Sequence, residues 1–293
     1  MGRFGFLQRL LVVFIILSVF NPVYSREKMP VDTLTGKVRH FERPWTASPF
    51  SIRLGAFFAI NQTDMGAGID SNPYSIIDWE NELGMNRNTY SGMLDFNVRI
   101  GKHNRINFSY YNIYRSNTII LEKDIHFGKH DYPVDSETKV YWNTNIFRLS
   151  YGFLFISDRH MELGALVGVH VMRFGFGLEL IGNTIQLSFK DDLNFTAPLP
   201  DLGLWGTYAF GKHWAVSAEA SYFGIRVKNL KGRVLNAGLS VQYKLSEHWG
   251  FDIGYTGFGV KITLDRPHLK SDFDWYYSGI FANVTYRFGH WRH

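Results

Sequence analysis

"GRVLNAGLSVQYKL", residues 232–245, alternates through most of its length. Leu235, Ala237, Leu239, Val241, Tyr243 and Leu245 fall on one face, and Asn236, Gly238, Ser240, Gln242 and Lys244 fall on the other. A period of two is a strand with one apolar and one polar face. Two architectures accept such a strand. In a soluble sandwich the apolar face turns inward to a core. In a membrane barrel it turns outward to lipid, and the polar face lines the lumen. One strand does not choose between them, so the choice rests on the rest of the chain.

The same period recurs from Phe50 onward. Phe50, Ile52, Leu54, Ala56, Phe58 and Ile60 share a face. Tyr90 to Ile100, Ile106 to Tyr110, Phe147 to Phe155, Leu163 to Val171, Leu202 to Phe210, Trp214 to Tyr222, Phe251 to Tyr255 and Ile280 to Phe288 repeat it. With the opening stretch this makes about ten strands, most near the length a tilted membrane-spanning strand requires. The connections are expected to alternate too. Short ones hold "GKHN" (101–104), "SDRH" (157–160), "GKH" (211–213) and "SEH" (246–248), and longer polar segments cover 121–138, 180–198, 226–232 and 265–274. Short turns at one end and long loops at the other mark an outer-membrane barrel, with the short turns on the periplasmic side. Residues 63–88 read as an extracellular hairpin or a strand extension above the membrane.

Composition agrees. The 293 residues carry no cysteine, 17% aromatics and 28 glycines. Thiolate chemistry and a disulfide framework are excluded. Mean hydropathy is −0.14, near neutral as expected when half of every strand is polar. The net charge of +5 is mild and its basic residues are scattered, so no nucleic-acid partner is expected. Arg3 and Arg9 precede an apolar run from Leu10 to Phe20, which is short of the ~20 residues of a spanning helix. Pro22 and the Val23–Ser25 end follow, so residues 1–25 read as a cleaved signal peptide. Residues 26–48 then read as a periplasmic leader and 49–293 as one barrel domain. Trp142, Trp214, Tyr222, Tyr243, Trp249, Tyr276, Tyr277 and Tyr286 read as interfacial girdles.

The fold expected is all-β: a transmembrane, antiparallel, up-and-down barrel of about ten strands, with eight or twelve as alternatives. The stretch "TAPLPDLGLWGTYAF" (196–210) and the terminal "VTYRF" (284–288) carry a resemblance to small Gram-negative outer-membrane β-barrel proteins, the OmpA-like class and its relatives. The resemblance spans roughly residues 50–288. It implies a cell outer-membrane location, outer-membrane lipids as partners, and delivery by periplasmic chaperones and the barrel-assembly machinery. Tyr286 and Phe288 match the terminal assembly signal, although "GHWRH" follows Phe288 here. The resemblance implies no particular activity, since barrels host many functions.

The polar faces place Arg53, Asp95, Arg99, Arg105, Arg148, Glu162, His170, Asp201, Glu219, Lys244, Asp252 and Arg287 in the lumen. Both signs occur, and charges inside a narrow barrel stay ionised only when paired. They form either a structural polar core or a thin charge-lined path, with lumen glycines leaving space for water or for a large neighbour. Catalysis by His170 with Ser150 or Ser217 lacks the geometry of a rim site. His126, His130 and Asp131 are metal ligands by type but not by spacing. No catalytic residue, metal or cofactor is therefore assigned. The function expected is a structural barrel or a narrow passive channel. A surface binder or adhesin working through extracellular loops is the alternative, and a lipid-modifying enzyme a remote one.

Overall fold

The period-two runs form hydrogen-bonded strands in the computed structural model, which describes residues 44–69, 75–127, 130–182, 189–266 and 269–288. In chain order the strands are β1 (Phe50–Ile69), β2 (Ser75–Asp78), β3 (Asn88–Ile100), β4 (Asn104–Ile120), β5 (Ile125–Phe127), β6 (His130–Tyr132), β7 (Glu137–Ser157), β8 (Met161–Gly182), β9 (Phe189–Phe210), β10 (Trp214–Val227), β11 (Leu230–Lys244), β12 (Trp249–Arg266) and β13 (Leu269–Phe288). Ten of them, all but β2, β5 and β6, pair antiparallel with their neighbours. β13 closes the ring on β1, from Phe50↔Phe288 to Ile69↔Leu269. The result is the ten-stranded up-and-down barrel expected. The turns after β3 and β9 open on Gly101 (φ 65) and Gly211 (φ 74). That left-handed conformation suits glycine because it has no Cβ.

The connections at the other end differ from expectation. Segment 180–198 is mostly strand, because β8 and β9 rise to Gly182 and Phe189. Segment 226–232 tightens to a turn at Lys228 and Asn229, and β12 and β13 reach Arg266 and Leu269. A 22-residue strand tilted by about 40° rises roughly 55 Å. A membrane needs an apolar band only ~25 Å tall. The longest strands, β7 to β9, thus overhang the belt by about its own height, and the shorter β3, β10 and β11 by roughly 10 Å.

Above the belt the two faces exchange character. In the lower half of β7, Leu149, Tyr151, Phe153 and Phe155 are exposed outward, while Arg148 and Ser150 are buried inward. Higher on the same strand Ile146, Trp142 and Val140 turn inward at 0% exposure, and Asn143 points out. β8 inverts at the same level. His170 and Gly168 face inward below, Met172, Phe174, Phe176, Leu178 and Leu180 face inward above, and Arg173 points out. Just outside the wall at this level, Tyr110 Oη donates to Asn145 Oδ1 (3.0 Å) and Asn112 Nδ2 to Asn143 Oδ1 (2.7 Å). The lower barrel is thus a membrane barrel, with a polar lumen and an apolar exterior. The upper barrel is inside-out relative to it, with a water-facing exterior and an apolar core.

That core fills the upper lumen. Trp142 stacks on Phe176 (5.5 Å) and lies against Trp275 (5.6 Å), and Phe258 stacks on Tyr277 (5.4 Å). Trp142 and Tyr277, expected in the girdles, are therefore interior residues at 0% and 1% exposure. Trp214, Tyr222, Trp249 and Tyr286 do face outward and are exposed. In the 63–88 region β1 extends upward and β2 returns beside it, from Asp64↔Asp78 to Ala67↔Ser75. The turn that follows buries Trp79, Leu83 and Met85 over the core. Arg115 and Glu80 pin it there as an ion pair whose side chains are both 0% exposed.

One seam interrupts the wall. The β9–β10 ladder stops at Tyr222↔Leu202, although both strands continue. Pro198 and Pro200 lie immediately above it and lack an N–H. The β8–β9 ladder runs through both without a register shift, so the missing donors are those on the β10 edge. The "TAPLP" stretch thus leaves the upper β10–β11 hairpin unpaired on its β9 side, while its other edge stays paired with β12 up to Leu230↔Leu264.

Candidate functional site

The lumen below the aromatic core is a polar chamber of about 220 Å³. Each barrel strand delivers alternate side chains to it, and the strand register decides which of them meet. Arg53 donates twice to Asp95 Oδ1, from Nε (2.9 Å) and Nη2 (2.7 Å). The other Asp95 oxygen accepts from Asn107 Nδ2 (2.9 Å) and Ser109 Oγ (3.0 Å). Arg99 clamps Glu162 with two 2.6 Å bonds. Arg148 bridges Glu219 and Asp201, the latter at 2.9 Å. Asp252 accepts from Asn283 (2.8 Å) and Thr285 (2.9 Å).

Arg105 stands apart. Its nearest carboxylate, on Glu219, is 3.8 Å away, and its guanidinium lies 3.5 Å above the Trp205 ring. Gly152 and Gly164 explain how Trp205 fits. A Cβ on either would sit 2.9 Å from Trp205 Nε1. These lumen glycines therefore make room for a large neighbour rather than for water. Arg287 lies 4.8 Å over the Trp45 ring. Trp45 belongs to the 44–49 segment, whose Thr46 also lines the chamber.

His170 faces Asp201, with Nδ1 and Oδ1 3.6 Å apart, and its ring lies 5.1 Å from Phe258. It marks the boundary between the chamber and the aromatic core. No hydrogen bond joins it to Ser150 or Ser217 among the described residues. Ser217 instead bonds Thr207 (2.7 Å) and Gln242 (2.8 Å). Lys244 sits at the rim and pairs with Glu247 of the adjoining short turn (2.8 Å). The register thus gathers eleven of the twelve sequence-assigned residues around one polar layer, with Lys244 at its edge. Five arginines (53, 99, 105, 148, 287) meet five carboxylates (95, 162, 201, 219, 252), so the layer holds no net charge without His170 and Lys244.

Outside the chamber, His130 Nδ1 lies 2.8 Å from Asp191 Oδ2 in the β5–β6 region. Tyr132 is buried beside the same carboxylate. The burial of Tyr132 pushes its phenol up to about 12. The His126 side chain lies outside the described residues. Tyr286 and Phe288 face outward, with Tyr286 against Trp249 (4.8 Å) and Phe288 stacked on Phe50 (5.4 Å). Residues 1–43 and 289–293 also lie outside the described residues, and with them the signal peptide and most of the leader.

The upper core has a signal in the sequence that a single-phase reading misses. "RFGFGLEL" (173–180) alternates as cleanly as the strand before it, with Phe174, Phe176, Leu178 and Leu180 on one face. Its apolar phase is even, whereas that of 163–171 is odd. The phase flips inside one continuous strand, which is what a strand does when it leaves lipid for water.

No protein-family model matches the chain, and no curated protein matches it in sequence. Solved structures do match in fold. The outer membrane protease OmpT from Escherichia coli superposes with a TM-score of 0.50 at 11% identity, covering 82% of this chain and 97% of that one. The translocator domain of the autotransporter NalP from Neisseria meningitidis gives 0.44 at 12%, covering 81% and 89%. OprG from Pseudomonas aeruginosa gives 0.36 at 11%, covering 85% and 99%. At these identities the likeness speaks for the fold alone: the chain has the fold of an outer-membrane β-barrel.

Proposed function

We propose that this protein is an integral outer-membrane barrel that is closed to passage and works through its rigid extracellular wall. The observation that carries this reading is the aromatic core. Trp142, Trp275, Phe258 and Tyr277 are all at most 1% exposed in the upper lumen, and aromatic side chains buried against one another there oppose a continuous water path. The polar chamber beneath it is then a dead end, and its paired charges serve to hold the barrel together. The belt of exposed Leu, Ile, Val and aromatic side chains around the lower half supports membrane insertion, because a surface of that extent is not left to water. Insertion would use the barrel-assembly machinery, with Tyr286 and Phe288 on the terminal strand as the signal. The overhang supports a recognition role, since it is a hydrogen-bonded wall and not a set of loops, and it presents a fixed surface above the outer leaflet.

Planar-bilayer conductance of the refolded chain, residues 26–293, tests the closure. The folded barrel is expected to be silent. The Trp142→Ala/Trp275→Ala double variant is expected to show leak currents if it folds. Steady conductance steps in the unsubstituted barrel would overturn the proposal and restore the narrow channel.

A further inference from the structure

We propose that the outward face of the β10–β11 hairpin binds the phosphate groups of an outer-leaflet lipid. On this face the last apolar cross-strand pair is Tyr222↔Leu235. The next outward pairs upward are Gly224↔Arg233 and Arg226↔Lys231, and Arg233 also lies opposite Lys261 of β12. Like charges directly opposite one another destabilise a sheet, and this hairpin sets two such pairs side by side. Lys228 adds a further cation at the turn. Arg226, Lys228, Lys231 and Arg233 are all exposed. Among the described residues none of the four has an ion pair or a side-chain hydrogen bond. The neighbouring acids are engaged elsewhere. Asp274 takes Lys261 (2.8 Å), Asp265 faces Lys270 (3.7 Å), and Asp272 accepts from Thr263 (2.6 Å).

The height of the cluster selects the ligand. Arg233 stands two residues above Leu235 and Lys231 four, roughly 5 and 10 Å above the belt for a strand tilted by about 40°. The headgroup layer of a leaflet is about 5–8 Å deep, and long basic side chains reach along the wall into it. Tyr222 adds a donor, since its hydroxyl lies over Gly224, where a Cβ would come within 2.6 Å of it. Beneath these donors the lipid-facing surface continues without a break, so a lipid resting its acyl chains on the belt brings its phosphate to Arg233. A soluble anion would gain the charges but not the belt.

The proposal rests on the membrane placement argued above, and the two fail differently. If the placement is wrong, the folded barrel is soluble without detergent. If only the site is wrong, a folded, detergent-bound barrel releases the lipid. Native mass spectrometry of the refolded chain in detergent, doped with a bis-phosphorylated disaccharide lipid, reads retention directly. Each removed charge is expected to cost about fivefold, so Arg226→Gln/Lys231→Gln/Arg233→Gln should lose on the order of a hundredfold. Arg226→Lys/Arg233→Lys should retain the lipid, as should Arg173→Gln on another strand of the wall. If the triple variant fails to migrate as a folded barrel on unheated gels, Lys231→Gln alone serves, with its fivefold loss. Equal retention of the dephosphorylated lipid, unchanged retention by the glutamine variants, or displacement by millimolar inorganic phosphate would each overturn the assignment.

Discussion

Replacing Glu80 by Gln is expected to release the 79–87 turn from the top of the barrel. In the native arrangement Arg115 Nη1 pairs with Glu80, and Arg115 Nη2 donates to Thr63 Oγ1 (2.7 Å). The backbone N–H of Thr63 donates to Glu80 Oε2 (2.7 Å). Both charged side chains are 0% exposed, so Glu80→Gln strands a guanidinium in a dry site, at a cost of about 3–5 kcal/mol. The turn holds itself down with Trp79, Leu83 and Met85, each at most 4% exposed, worth roughly 1.5–3 kcal/mol apiece. Releasing it returns about 1–2 kcal/mol of backbone freedom per residue, which over the turn is at least as large as that burial. The ion pair therefore decides whether the turn stays closed. Amide exchange at Trp79 and Met85 reports it, because Trp79 N–H donates to Thr63 O (3.0 Å) and Met85 N–H to Trp79 O (2.9 Å). Their protection should fall by at least ~100-fold, about 3 kcal/mol at 1.4 kcal/mol per tenfold. The Glu80→Met/Arg115→Met double variant removes both charges and keeps the volume, so it should recover most of the loss. Protection in Glu80→Gln within about threefold of the native value, or a double variant as exposed as the single, would refute this account of the anchor.

Three further outcomes are expected. Val169→Arg, on the outward face of β8, should cost about 2–4 kcal/mol if it lies near the membrane midplane, read as a lower urea midpoint in lipid; normal assembly and an unchanged midpoint would count against the face assignment. Gly164→Val should destabilise by about 1–3 kcal/mol, because its Cβ would meet Phe153 O at 2.6 Å and Trp205 Nε1 at 2.9 Å, and a Trp205→Ala background should lessen the cost measured in the same denaturation series. Glu82 is held below its ordinary value of 4.5 by the Lys123 ammonium (2.9 Å) and by the Asp78 backbone N–H; the tether it provides is full above that value and fades as the pH falls through the lowered one, so protease nicking near residue 82 should rise on acidification in the native chain and stay flat in Glu82→Gln.

Local chemistry made the lower half of this barrel legible. A strand in lipid must show one apolar face, so "GRVLNAGLSVQYKL" and its nine counterparts revealed strand identity, number and orientation, and with them the set of inward charges. The rest depended on which strands lie side by side and how far they rise. Nothing within β4 says that Arg115 meets Glu80, which lies 35 residues away, nor does β7 show that Trp142 packs between Phe176 of β8 and Trp275 of β13. The upper half reads as polar loops because its alternation changes phase where lipid gives way to water, and a pattern read in one phase loses the strand there. The period of two belongs to the backbone and is written in the sequence. Which face is inside, and what closes the lumen, are properties of the closed sheet and appear only when all ten strands are in place.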